Sequence, residues 1–174
     1  DGNAAAKLVG EMANLPGVSY IRTTRERTGI LYGGDEAFPI GGSKVLRSSA
    51  NDRATLVGAG VTVFEALKAA DVLAQEGIAA RVIDAYSVKP IDGETLRRAL
   101  SETGLVVVAE DHWAEGGLGD AVLAALAEGG RPLSGRVVKL AVREMPGSGK
   151  PEELREWAGI SASKIAEAVR SALA

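Results

Sequence analysis

Between Ala54 and Val142, short apolar runs alternate with amphipathic stretches, and this alternation constrains the fold more than any other feature. Ala54–Val57, Ala80–Ala85, Leu105–Ala109 and Val137–Val142 read as buried strands. Helical patterns fall between them: Val63, Leu67, Ala70 and Ala74 stripe residues 62–76, Leu96, Ala99 and Leu100 follow Ile91-Asp92, and Val122, Leu123 and Leu126 lie within 119–127. Further helices are predicted at about 151–157 and 161–173. Parallel strands need a crossover between them, and a helix is the usual one. Strand–helix alternation therefore predicts an α/β fold of three layers, helix–sheet–helix, with a mostly parallel sheet of about five strands. Polar residues just past a strand's carboxyl end sit where such sheets place function, and Glu110-Asp111-His112 after Leu105–Ala109 fits that position.

A chain of 174 residues suits one domain, or one domain with an appendage. With a net charge of −3 and both signs interspersed, it has no electrostatic footprint for nucleic acid or an acidic membrane. No apolar run approaches the roughly 18 residues a membrane span needs. The absence of cysteine excludes disulfides and thiolate chemistry and fits a cytoplasmic location. The single histidine, His112, argues against a histidine-based metal site.

Upstream of Ala54 the pattern changes. Asp1-Gly2-Asn3 reads as a helix start, and Ala5, Leu8, Val9 and Met12 give residues 4–13 one apolar face. Leu15-Pro16-Gly17 ends that helix, and Val18–Arg22 reads as a strand. A helix and one strand make no core alone. Residues 1–25 are thus expected to be the last αβ unit of a larger domain, in a chain that is a fragment cut at an element boundary. The glycine-rich residues 26–48 are expected as an interdomain linker, with Ile30-Leu31-Tyr32 and Phe38 as anchors, and 49–174 as the second domain.

Three constellations suggest chemistry. Gly58-Ala-Gly60 follows a strand, but Val63 stands where the third glycine of a dinucleotide fingerprint belongs, so a tight turn is the favoured reading. Gly147-Ser-Gly149-Lys150 resembles part of a P-loop, yet Pro151 replaces the needed Ser or Thr. Glu110-Asp111-His112 has acid–base residue types without an evident nucleophile, which leaves His112 a weak catalytic candidate and favours a structural or interface role. Arg22, Arg25 and Arg27 lie at or beyond a predicted strand end, and a guanidinium fork matches two phosphate oxygens. From the residues alone, a phosphate contact and a solvated turn stand even.

Several blocks in order resemble the transketolase family: DGNAAAKLVGEMANLPGVSYIRTTRE the end of its pyrimidine-binding middle domain, and GAGVTVFEALKAADVL, DAYSVKPID, AEDHWAEGGLGDAV and REMPGSGKPEELREWAGI its C-terminal domain. SGKPEEL followed by an aromatic-Ala-Gly-Ile run is similar to the animal-type branch. The resemblance implies a parent enzyme that moves a two-carbon ketol unit between sugar phosphates with thiamine diphosphate and magnesium, in a homodimer. It implies that Arg25, in Thr23-Thr24-Arg25-Glu26, contacts the substrate phosphate. Relatives commonly carry Arg-Pro or Arg-Gln there, and Glu26 is a departure that could weaken phosphate affinity. The family's Gly-Asp-Gly…Asn cofactor motif and its cofactor-activating glutamate have no counterpart in this chain. No bound cofactor, no metal and no catalytic residue are therefore expected, and the isolated chain is expected to be inactive. Two other readings stay open: the corresponding region of deoxyxylulose-phosphate synthase or of a 2-oxo-acid dehydrogenase beta chain, and a stand-alone module holding a nucleotide or another anion at the Gly58–Gly60 turn.

Overall fold

The computed structural model describes residues 1–130 and 132–174. Five strands form one sheet in the order β1-β3-β2-β4-β5, with β1 at Lys44–Arg47, β2 at Ala54–Gly58, β3 at Ala80–Asp84, β4 at Leu105–Trp113 and β5 at Arg136–Val142. Four are parallel, and β1 runs antiparallel along β3, pairing Lys44 with Asp84. Helices α2 (Val61–Gln75) and α6 (Ala162–Leu173) pack on one face through Ala66, Ala70, Leu73, Ile165 and Val169. Helices α3 (Gly93–Thr103) and α4 (Leu118–Ala127) pack on the other through Leu96, Leu100, Val122 and Leu126. Successive strand residues supply opposite faces, Leu56 and Val107 to the first core, Val57 and Val106 to the second. The three-layer expectation is met.

The crossover from β2 to β3 and that from β3 to β4 lead to opposite sides of β2. The carboxyl ends of β2 and β4 thus flank the point where strand order reverses, the usual crevice of open α/β sheets. At that point Gly58-Ala-Gly60 turns into α2. A Cβ at Gly58 would lie 2.9 Å from the carbonyl carbon of Thr62 and from the Val63 nitrogen, so the close approach of the first helical turn demands glycine. Thr62 Oγ1 accepts from the Ala59 N–H at 3.1 Å and donates to the Ala59 carbonyl at 3.0 Å, closing the turn on itself.

Three sequence expectations need correction. The predicted strand at 18–22 does not form: the chain there has no regular structure, and Val18 and Tyr20 are exposed. A lone extended segment gains no ladder hydrogen bonds, and none of the five strands pairs with it. The glycine-rich connection is not wholly irregular, because its residues 44–47 become the edge strand β1. Its anchors are Tyr32 and Phe38, buried with Ala4 of α1 (Gly2–Ala13), whereas Ile30 is exposed. Finally, Glu110-Asp111-His112 does not lie past the strand. The β4–β5 register shifts between Ala109 and Trp113, and pairing resumes at Trp113–Val142, so the three residues form an irregular stretch within β4. Among the described residues no helix is long and apolar enough to cross a membrane.

Candidate functional site: the arginine turn and the β4–α4 corner

Glu110 is almost fully buried although it is charged by type. Its Oε2 accepts from the Leu118 N–H at 2.5 Å and its Oε1 from the Gly119 N–H at 3.0 Å. These amides open α4, whose N-cap residue Gly117 has no side chain with which to cap them. Burial pushes the Glu110 carboxyl above the ordinary carboxylate range, against the pull of the Gly119 and Leu118 N–H groups. The adjoining glycines leave it room. A Cβ at Gly117 would stand 1.9 Å from Glu110 Oε2, and one at Gly119 would stand 2.1 Å from Lys139 Cδ. Lys139 of β5 closes the corner, donating to the Ala114 carbonyl and to Asp120 Oδ1, each at 2.5 Å. Glu110 is therefore a helix cap delivered from a strand.

The other two residues of the triplet face different surroundings. Asp111 accepts a short hydrogen bond from Arg22, whose guanidinium also donates to the Asp111 carbonyl oxygen at 3.1 Å. His112 is exposed, with Nδ1 2.8 Å from the Trp113 carbonyl oxygen. A Cβ at Gly117 would also stand 2.7 Å from His112 Nδ1, so the His112 ring lies beside the Glu110 carboxyl while Asp111 turns to Arg22.

Arg25 lies in a bend, exposed, between two tethered neighbours. On one side Arg22 reaches β4 through Asp111. On the other, Glu26 accepts from Arg155 of α5 (Pro151–Trp157) at 2.6 Å and 3.5 Å. The same guanidinium lies 3.4 Å from Glu65 Oε1, a nearly buried carboxylate whose Oε2 accepts from the Ala162 N–H at the start of α6. The arginine turn is thus joined to β4 at one end and to α5 at the other. Sequence reading missed Arg155 and Glu65 altogether. Glu26 and Arg155 are 129 positions apart, and no local pattern signals such a pair. The role of Glu110 had a faint signal: an acid eight residues before a helix that opens on glycines and lacks a cap of its own.

Among the described residues no group of three or more His, Cys, Asp or Glu side chains is arranged to hold a metal ion. The Gly147–Lys150 stretch leads into α5, where the Lys150 N–H donates to Glu153 Oε2 at 3.0 Å and Pro151 occupies the first helical position.

Comparison with known proteins places this geometry. The family model described as "Transketolase, C-terminal domain" matches residues 43–165. The chain belongs to that family. It is 48% identical over 159 residues to transketolase-like protein 2 of Mus musculus, covering 91% of this chain and 25% of that protein. It is 43% identical over 171 residues to transketolase of Homo sapiens, covering 98% of this chain and 27% of that protein. The chain therefore spans about a quarter of the length of the curated relatives it matches. A split-gene transketolase solved as an inactive beta4 tetramer aligns with a TM-score of 0.91 at 39% identity, over 99% of this chain and 55% of that one. A transketolase from Campylobacter jejuni, at 21% identity and a TM-score of 0.57 over 75% of this chain and 18% of that one, shares the fold.

Proposed function

We propose that this chain forms the C-terminal part of a transketolase, an enzyme that transfers a two-carbon ketol unit between sugar phosphates, and that Arg25 binds the substrate phosphate. Residues 1–25 then close the middle domain, residues 26–48 connect it and lend the edge strand β1 to the sheet, and residues 49–174 form the rest of the C-terminal domain. The observation that carries the reading is the arginine turn: Arg25 is exposed while Arg22 and Glu26 on either side are tied to the sheet domain. A guanidinium displayed on a fixed turn suits bidentate binding of a phosphate dianion. Family membership and the transketolase relatives support the reaction class.

Thiamine diphosphate, when bound, supplies the carbanion chemistry, and in this reading it and magnesium are held by parts of the enzyme other than these residues. The residues present here bind and orient: Arg25 anchors the phosphate end of the sugar, and the buried corner around Glu110 fixes the wall to which Arg22 attaches. A homodimeric cytoplasmic enzyme of the pentose phosphate pathway is the corresponding whole, and the beta4 assembly of the split-gene relative favours self-association.

Arg25→Ala in the full protein is expected to raise KM for ribose 5-phosphate and xylulose 5-phosphate roughly 10- to 100-fold, the loss of a charge-assisted contact, and to leave turnover of the unphosphorylated sugars unchanged. Equal effects on both substrate classes would overturn the assignment. The 174-residue chain alone is expected to give no ketol transfer when supplied with cofactor, magnesium and both sugar phosphates. Measurable turnover would place the chemistry inside this chain.

A further inference from the structure

Glu26 poses a problem for any anion at the neighbouring Arg25. A free carboxylate next to the arginine would either pair with it or repel the incoming phosphate. The structure disposes of that charge. Arg155 takes both oxygens of Glu26, at 2.6 Å and 3.5 Å, from a helix far away in sequence. The Arg155 side chain is only 15% exposed, so the pair is shielded from solvent on its cationic side. Arg155 is itself aimed by Glu65 at 3.4 Å, and Glu65 is held independently by Lys68 at 3.0 Å and by the Ala162 N–H at 2.9 Å.

We infer that Arg155 is a positioning residue for phosphate binding: it neutralises Glu26 and leaves Arg25 to the substrate, while the Arg22–Asp111 pair holds the turn in place. The inference rests on the reading of Arg25 as the phosphate contact. Two consequences separate it from a merely architectural role. Removing Arg155 releases a negative charge beside Arg25, so the damage falls on phosphorylated substrates. Removing the Glu26 charge as well repairs that damage, because neutralisation is then no longer needed.

The test is kinetic, on the full protein, with ribose 5-phosphate compared with ribose and xylulose 5-phosphate compared with xylulose. Arg155→Met is expected to raise KM for the phosphorylated sugars about three- to tenfold, the size of one unscreened charge at a partly exposed site, with kcat and the unphosphorylated reactions unchanged. Arg155→Lys keeps the charge and is expected to retain most of the phosphate preference. The double variant Glu26→Gln/Arg155→Met is expected to return to within about twofold of the parent, a coupling that a double-mutant cycle reads directly. Glu65 keeps its Lys68 and Ala162 partners in every variant, and thermal unfolding checks that each one folds. If Arg155→Met leaves the phosphate preference intact while Arg25→Ala abolishes it, the inference fails and the Arg25 reading stands. If Arg155→Met harms both substrate classes equally and Glu26→Gln does not rescue it, the role is architectural and the inference is overturned. If Arg25→Ala itself leaves the phosphate preference intact, both fall.

Discussion

Asp84 ends β3 almost wholly buried, and its two oxygens fare differently. Oδ2 accepts from the Tyr32 hydroxyl at 2.6 Å, while among the described residues Oδ1 has no hydrogen-bond partner. Burial pushes this carboxyl above the ordinary carboxylate range, and the Tyr32 hydrogen bond pulls it partway back. Burial, together with the Asp84 charge, drives the Tyr32 hydroxyl upward, so it remains a donor. The native state therefore holds the Asp84 proton more tightly than the unfolded chain does. The resulting stability is present in full below the ordinary carboxylate pKa and is lost as pH rises through the raised value. Tyr32→Phe removes the group that opposes the rise, so its Asp84 titrates higher still. The variant is expected to lose about 1–3 kcal/mol at neutral pH and less in mild acid, measured by denaturant unfolding across that range. A loss that grows as pH falls would contradict the assignment. Gly117→Ala tests a different contact, since its Cβ would stand 1.9 Å from the doubly bonded Glu110 carboxylate. Displacing that buried cap is expected to cost about 1–3 kcal/mol, whereas Gly10→Ala, with open space around it inside α1, is expected to be neutral or stabilising.

Among the elements, the helices and the four parallel strands were readable in the residue pattern because each carries a full period of apolar positions. In α6, Ile165, Ala166 and Val169 recur at helical spacing, and all three are buried against α2 and the sheet. Ile165→Ala is expected to destabilise the domain by about 2–5 kcal/mol, with a matching fall in the thermal midpoint. The edge strand β1 was not readable: Lys-Val-Leu-Arg is short and half polar, and its place depends on the antiparallel pairing that β3 offers. The opposite error at 18–22 has the same origin. Val18, Tyr20 and Ile21 have strand-forming side chains, yet strand formation is decided by a neighbour, and the sheet ends at β1 and β5. The candidate site divides along the same line. Arg25 is proposed from family resemblance, and the cap formed by Glu110 was not read from the sequence, which offered that residue only as part of an acid–base triplet. Arg155 was not read either, because ion pairs between distant segments leave no periodic trace.

Across the whole molecule, the first 43 residues are attached mainly by side chains rather than by backbone ladders. Asp1 accepts from the Ala4, Leu31 and Tyr32 N–H groups, Tyr32 reaches Asp84, Arg22 reaches Asp111, and Glu26 reaches Arg155. Amides of residues 18–24 are therefore expected to exchange with solvent deuterium far faster than those of β2 and β4, which open only with the whole domain. Strong protection at 18–24 would reveal a pairing partner. The borrowed cap at Glu110 has a kinetic corollary. The first amides of α4 find their acceptor on a strand that must already be threaded into the sheet beside β2. Helix α4 is therefore expected to complete its first turn late in folding, and mutations there should speed unfolding while leaving the refolding rate nearly untouched, as stopped-flow kinetics would read. A residue that closes a corner in the native fold would thereby also order the steps by which the chain assembles.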